Sequence, residues 1–335
     1  MTRRELVLGA VAAAARPVFA VPRTGMGIAT TSFMTARHPH DTYEFLEYCH
    51  ALGAGGIQAS LASLDPAYLK KTRARADEFG MYIEVMVELP TEDPAEFERT
   101  VEAAKEVGAV CLRTACLGGR RYEDFSSLTD WQAFVAGSQA AVDRALRVVT
   151  RLRMPMAIEN HKDWTADELA AILKQRSSEY LGACIDTGNN ISLLDDPMAV
   201  IETLAPYALS THFKDMAVEP CADGFLLSEV PLGEGIVDLE RAVATIRRVR
   251  PNTRFTLEMI TRNPLEVPCL TDKYWVTFPD RSGKYLADTL RMVRASSAHL
   301  QHLPHVDHES REGLLQLEEE NVKQCLYYAR TRLGL

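Results

Sequence analysis

The sequence is informative first for what it does not contain. Its 335 residues include seven cysteines, an odd number with no CxxC pair, so no disulfide framework is indicated. No GxGxxG follows the first apolar run, which argues against a dinucleotide-binding sheet. Low-complexity tracts and internal repeats beyond a strand–helix period are also missing. The chain is therefore expected to be an ordinary globular protein whose function lies in its polar residues.

The chain also has no excess of basic charge. Lysine and arginine number 37 against 46 aspartates and glutamates, which gives a net charge of −9. Because phosphate binding relies on a basic surface, nucleic acid is not expected as a partner. No apolar run reaches the ~20 residues that a membrane span needs. Apolar residues make up 47% of the chain, enough for a full core without disulfides.

The N-terminus, residues 1–20, has the parts of an export signal. Arg3 and Arg4 precede the Ala-rich apolar run LVLGAVAAAA, and Ala20 stands at a suitable cleavage point. Paired arginines before a modestly apolar run resemble a twin-arginine signal and predict a periplasmic protein. The alternative is an Ala-rich helix packed on the domain, in which case the protein is cytoplasmic.

Between residues 24 and 295, short apolar runs alternate eight times with longer amphipathic ones. This alternation predicts parallel strands joined by helices, and eight units predict a (β/α)₈ TIM barrel. A doubly wound sheet is the alternative, disfavoured because polar residues end so many different strands. Residues 296–335 are expected to form a C-terminal helical extension, folded back on the barrel or on a second subunit of a homo-oligomer.

Four of the polar residues each end an apolar, strand-like run. They are Glu159, Asp186, His212 and Glu258, at the predicted ends of strands 5 to 8. Charge at the end of a buried strand is costly unless it is paired or bound to a cation. Since the carboxyl ends of barrel strands converge, all four side chains can meet one ion. The pattern predicts one divalent metal ion, with Mn, Mg, Zn, Co and Fe all compatible with the ligands.

The same residues carry a family resemblance. Ile158-Glu159-Asn160-His161, Ile185 to Asn189, His212 to Asp215, Gly233-Glu234-Gly235 and Leu257-Glu258 resemble the xylose isomerase-like barrel superfamily over residues 24–295. That group includes sugar-phosphate isomerases, ketose 3-epimerases and inosose dehydratase. The resemblance implies that the four residues hold the metal and that Glu159 and Glu258 also act as acid and base. The chain departs from the family at Asn189, where epimerases often have histidine, and at Gln58, where glutamate is frequent.

The chemistry expected from this set is proton transfer beside a carbonyl. A metal that polarises the carbonyl makes the adjacent C–H acidic, and a carboxylate can then remove its proton to give a metal-stabilised enediolate. If the proton returns to the sugar, the reaction is an epimerisation or isomerisation. A sugar epimerase or isomerase is the leading hypothesis. Loss of a β-leaving group makes a lyase or dehydratase the alternative, resembling inosose dehydratase or a keto-glycoside lyase. A barrel that binds metal and sugar without catalysis is a third hypothesis.

The expected partner is a small sugar or sugar derivative, and several residues are candidates to bind it. His161 and Lys214 each lie two residues beyond a predicted ligand and so face the same side of an extended strand. Arg113 and Glu88 end strand-like runs, and the loop after strand 8 offers aromatic rings that could cover a sugar. The predicted substrate-binding residues are His161, Lys214, Asn189, Arg113, Glu88, Tyr274 and Trp275.

Overall fold

The computed structural model describes residues 21–296 and 302–335. The predicted export signal, residues 1–20, lies outside the described residues and stays a prediction. Within the described ranges, no helix is both long and apolar enough to cross a membrane.

Eight parallel strands close into a barrel, which confirms the predicted fold class and excludes the doubly wound sheet. The barrel order is β1-β10-β7-β6-β5-β4-β3-β2. The barrel closes because Ile28 of the first strand pairs with both Ile57 and Leu257. All strands of the described residues are Gly27–Ala29 (β1), Gly56–Ala59 (β2), Tyr82–Met86 (β3), Cys111–Thr114 (β4), Met156–Glu159 (β5), Leu181–Asp186 (β6), Ala208–Phe213 (β7), Asp215–Cys221 (β8), Gly224–Val230 (β9), Thr256–Leu257 (β10) and Leu265–Val267 (β11).

The helices alternate with the barrel strands and cover them. They are Thr42–Leu52 (α1), Pro66–Phe79 (α2), Ala95–Glu106 (α3), Arg121–Asp124 (α4), Leu128–Leu152 (α5), Ala166–Arg176 (α6), Pro197–Leu204 (α7), Leu239–Val249 (α8), Asp272–Trp275 (α9), Gly283–Ser296 (α10) and Arg311–Arg332 (α11). Local sequence fixes their ends. Thr165 and Glu168 form a reciprocal capping box at the start of α6. Gly53 ends α1 at φ 87°, a left-handed conformation that glycine adopts without strain.

Helix α11 folds back on the barrel. Its residues Val322, Cys325 and Ala329 are fully buried in the main core. The fully buried carboxylate of Glu318 accepts the backbone N–H groups of Thr35, Ala36 and Arg37, at 2.8, 3.0 and 3.1 Å. The extension is therefore tied to the loop that follows β1, on the same chain.

A second, three-stranded sheet was not predicted. The segment after β7 forms the antiparallel hairpin β8–β9, which β11 extends, and the strand–helix alternation of the sequence gives no sign of it. Val218, Phe225 and Val267 of this sheet pack in a separate apolar cluster with Tyr274 and Phe278. The hairpin follows directly on β7, so it brings a second layer of side chains to the mouth of the barrel.

Candidate active site

The four strand-end residues come together at the mouth of the barrel. Glu159 ends β5, Asp186 ends β6, His212 lies near the end of β7, and Glu258 directly follows β10. These four strands are neighbours in the barrel. One ligand atom from each residue lies within 4.8 Å of the others, and all four side chains are buried. The predicted convergence of strands 5 to 8 is therefore observed.

A hydrogen-bond chain orients His212. Its Nε2 lies 2.5 Å from Oε1 of Gln58, and the Gln58 amide Nε2 donates to Glu84 Oε2 at 2.9 Å. Glu84 Oε2 also accepts from Ser210 and Thr256, at 2.8 and 3.0 Å. Since the amide nitrogen of Gln58 donates to the Glu84 carboxylate, the amide oxygen faces His212 and must accept a hydrogen bond from it. This places a proton on Nε2 and directs Nδ1 at the other three residues.

Two buried atoms of the cluster neither donate nor accept a hydrogen bond. They are His212 Nδ1 and Asp186 Oδ2. Nδ1 lies 3.1 Å from both Glu159 Oε2 and Glu258 Oε1, without the alignment that a hydrogen bond needs. Three carboxylates and an imidazole that converge with such atoms fit a divalent cation, and this donor set alone does not select one metal.

The backbone holds Asp186 in place. Its Oδ1 accepts the N–H groups of Gly188 and Asn189, at 2.8 and 2.7 Å. Asn160, directly after β5, accepts the Asp186 N–H and donates to its carbonyl, at 2.8 Å each. Because Oδ1 is occupied, Oδ2 is the atom presented to the cluster. Burial raises the pKa of Asp186 to about 6, although Lys214 opposes the shift.

Two predicted substrate-binding residues are instead paired with the ligands. Arg113 Nε donates to Glu159 Oε2 at 2.6 Å, and its Nη2 contacts the same oxygen. Lys214 Nζ lies 2.5 Å from Glu258 Oε2 and 2.8 Å from Asp186 Oδ2. Burial alone would raise the pKa of Glu159, but Arg113 and then His212 hold it well below its usual range. His212 and Lys214 likewise outweigh burial at Glu258 and lower its pKa.

Asn189 connects the ligands to a buried lysine. Its Nδ2 donates to Glu159 Oε1 at 2.9 Å, and its Oδ1 accepts from Lys162 Nζ at 2.5 Å and from Lys214 Nζ at 3.3 Å. His161, next to Lys162, has a buried Nδ1 with no hydrogen-bond partner. Burial and then Lys162 lower the pKa of His161 to about 3, so this imidazole is neutral. Asn189 and Lys214 contact the strand-end carboxylates, and substrate binding by Asn189, His161 and Lys214 stays a prediction.

The other predicted substrate contacts make no hydrogen bond or ion pair with the four strand-end residues in the part of the chain that the structure describes, and their role stays a prediction. Glu88 is exposed, two residues beyond β3. Tyr274 is fully buried, and its hydroxyl donates to the Ser192 carbonyl at 2.8 Å. Trp275 is partly buried and donates its indole N–H to the Cys269 carbonyl at 2.9 Å. The aromatic loop therefore packs on the second sheet, and its role in substrate binding stays a prediction.

Sequence reasoning missed Lys162, Glu84 and Thr31 as parts of the site. Glu84 interrupts the apolar run MYIEVMVEL, which is the same signal that identified the four ligands. Thr31, in the loop after β1, donates to Glu258 Oε1 at 2.8 Å. Neither Lys162 nor Thr31 stands at the end of an apolar run, so no comparable signal marked them.

Comparison with known proteins agrees with this geometry. A family model described as "Xylose isomerase-like TIM barrel" matches residues 46–294. The chain belongs to this family. A relative from Pectobacterium atrosepticum, a 3-oxo-isoapionate decarboxylase, is 27% identical over 215 residues, covering 62% of this chain and 73% of that protein.

Solved structures of the superfamily share the barrel. The probable 3-DHS dehydratase AsbF from Bacillus anthracis matches with a TM-score of 0.55 and 16% identity, over 92% of this chain and 99% of that chain. D-psicose 3-epimerase from Clostridium cellulolyticum H10, solved with D-tagatose, matches with a TM-score of 0.55 and 15% identity, over 81% and 98% of the two chains. At these identities the likeness establishes the fold alone.

Proposed function

We propose that this protein is a divalent-metal-dependent enzyme that transfers a proton beside the carbonyl of a sugar or sugar derivative, as isomerases and epimerases do. The observation that carries the proposal is the buried convergence of Glu159, Asp186, His212 and Glu258, with His212 Nδ1 and Asp186 Oδ2 left without hydrogen bonds. Membership of the xylose isomerase-like family supports it.

The four converging residues would hold the ion, which when bound supplies a Lewis acid that polarises the substrate carbonyl. Glu258 is then the better candidate for the base. Its Oε1 accepts from the Thr31 hydroxyl and its Oε2 from the Lys214 ammonium, and its side chain keeps a small exposed fraction of 6%, against 0% for Glu159. Glu159 is held at both oxygens by Arg113 and Asn189, which fixes it as an anionic ligand. The Lys214 ammonium, 2.5 Å from Glu258, can stabilise negative charge that develops on the substrate oxygen.

A lyase is the second candidate, because a relative of this chain is a decarboxylase. Proton abstraction and loss of a neighbouring group both leave an electron pair beside the carbonyl, so the same cations can serve either reaction. In decarboxylation the bond to the carboxyl carbon breaks, CO₂ leaves, and the carbon that keeps the electron pair takes a proton.

We also propose that the substrate is a free or oxidised sugar rather than a sugar phosphate. This proposal rests on the twin-arginine-like N-terminus, Arg3 and Arg4, and on the export that it predicts.

The test combines metal analysis of the purified protein with incubation in D₂O of ketoses, keto-glycosides and keto sugar acids. Deuterium in recovered sugar supports proton transfer, whereas an unsaturated product or CO₂ supports the lyase. Glu258→Gln should fold, bind metal more weakly and lose about 10²–10⁴-fold in turnover, the usual contribution of a general base. Glu266→Gln, exposed on β11, is the matched control. Bound metal and sugar with no reaction would favour the non-catalytic barrel.

A further inference from the structure

The charges at the site leave one lysine without a counter-ion. Lys162 is buried, and among the described residues its Nζ enters no ion pair within 4.0 Å. Its hydrogen-bond acceptor is the neutral side chain of Asn189. A buried ammonium without a paired anion is costly, so a structure that retains one calls for an explanation.

The two carboxylates that act most strongly on Lys162 each already have a cation. Glu229 of β9 is held by Arg262, whose Nη2 lies 2.6 Å from Oε1 and whose Nε lies 3.1 Å from Oε2. Asp186 Oδ2 lies 2.8 Å from Lys214 Nζ. These two carboxylates and the cations Lys214 and Arg262 have the largest electrostatic effect on the pKa of Lys162. Neither carboxylate lies within 4.0 Å of Lys162 Nζ.

The balance of charge changes further when the metal binds. Arg113 and Lys214 pair with the three carboxylates of Glu159, Asp186 and Glu258, whereas Lys162 donates to the neutral Asn189. Once His212 has given up its proton, a divalent ion adds two positive charges to those of Arg113, Lys162 and Lys214, against three carboxylates. Next to Lys162, the neutral imidazole of His161 has an unsatisfied buried Nδ1. The loaded site thus has surplus positive charge and, in the residue next to Lys162, an unsatisfied buried polar group.

We infer that Lys162 binds a carboxylate of the substrate, with His161 beside it, so that the enzyme acts on an oxidised sugar acid rather than on a neutral ketose. The inference deepens the proposed function and rests on it for the position of the reacting carbonyl. A bound carboxylate supplies the missing counter-ion and offsets the charge of the metal. Burial and then Lys214 lower the pKa of Lys162 to about 8, which a bound carboxylate would raise again.

The test uses pairs of compounds that differ only in the acid group. Xylonate and xylitol form one pair, and gluconate and glucitol the other; none carries a carbonyl, so binding is measured without turnover. Calorimetry on the metal-loaded protein should show the acid binding about 10- to 100-fold more tightly than the alditol, as for a charge-assisted hydrogen bond.

Lys162→Met should abolish this preference. Lys162→Gln should do the same, and because it keeps a hydrogen-bond donor for Asn189, it serves if the methionine variant folds poorly. Lys174→Met, exposed on α6, should leave the preference unchanged. Equal binding of acid and alditol to the wild type overturns the inference, as does a preference that survives in both Lys162 variants. Deuterium exchange into neutral ketoses without an acid preference would reject this subsite alone. Acid preference without exchange into any substrate supports the subsite and rejects the proposed proton transfer.

Discussion

The hydrogen bond between Gln58 and His212 provides the most direct test of the metal site. Gln58→Leu keeps the approximate volume of a fully buried side chain but removes the acceptor 2.5 Å from His212 Nε2. The imidazole then loses the partner that keeps its proton on Nε2 and fixes the orientation of the ring. Loss of such a partner lowers metal affinity about 10–100-fold, or about 1.4–2.8 kcal/mol.

The same substitution also has a cost in stability. It leaves the His212 Nε2–H buried without an acceptor and removes one of the donors to Glu84, whose Oε1 already has no partner. A buried group left unsatisfied costs about 1–3 kcal/mol, so the metal-free variant should unfold at a lower temperature than the wild type. Weaker metal binding must therefore be separated from a general loss of stability.

Thr256→Val is the matched control. Thr256 donates to the same Glu84 oxygen at 3.0 Å, and it makes no hydrogen bond to His212 among the described residues. Its loss should destabilise the metal-free protein by about 1 kcal/mol and leave metal affinity within about twofold of wild type. Titration calorimetry with Mn²⁺, together with thermal unfolding of the metal-free proteins, measures both quantities.

Two results would refute the reasoning. If Gln58→Leu binds Mn²⁺ as tightly as wild type, the Nε2 contact does not orient a metal ligand. If Thr256→Val weakens binding as much as Gln58→Leu, the effect comes from the buried network as a whole. A direct reading is available from ¹⁵N spectra of the loaded wild type, in which His212 should carry its proton on Nε2.

Three further predictions follow from the charges, the C-terminal helix and the N-terminus. Burial would lower the pKa of His212, but Glu159 and Glu258 raise it to about 9. Metal binding must therefore displace a proton from His212. The metal affinity measured by calorimetry should rise up to ~tenfold per pH unit between pH 6.5 and 9. The same raised pKa stabilises the metal-free protein fully below about pH 6.5, the ordinary histidine pKa, and this stability should be lost as pH rises through about 9; a pH-independent midpoint of unfolding would contradict it. Glu318→Gln weakens charge-assisted hydrogen bonds to the loop after β1 and should cost about 1.5–3 kcal/mol in chemical unfolding, whereas the exposed Glu320→Gln should cost almost nothing. Replacing Arg3 and Arg4 together by lysine should keep the protein in the cytoplasm, and N-terminal sequencing of wild type from the periplasm should not begin at Met1.

The barrel and the convergence of the four strand-end residues could be predicted because each depends on a local pattern. Alternating apolar runs and amphipathic helices specify strand–helix units, and eight of them close only as a barrel. Asp186 and Glu159 were visible because a charge directly ends a buried run. Parallel strands bring such ends to the same edge, so sequence position alone was enough to place them together.

What could not be predicted depends on contacts across the barrel. The Gln58–His212 bond joins residues 154 positions apart, and the sequence gives no sign that these side chains meet. Arg113 and Lys214 were predicted to lie at the site. Their pairing with the strand-end carboxylates could not be predicted, because it depends on distances of a few ångströms that the sequence does not specify. The hairpin β8–β9 could not be predicted because its strands lie outside the strand–helix period of the barrel.

The pairing of ligands with cations explains how so much charge stays buried before metal arrives. Isolated buried carboxylates cost several kcal/mol each. Here Arg113 neutralises Glu159, and Lys214 lies between Asp186 and Glu258. The barrel can thus fold around its ligands without an ion. Under the proposed function, a metal ion would compete with Lys214 for Asp186 and Glu258 and with a proton for His212. Its affinity would then depend on pH, and the displaced Lys214 ammonium would be free to face the substrate.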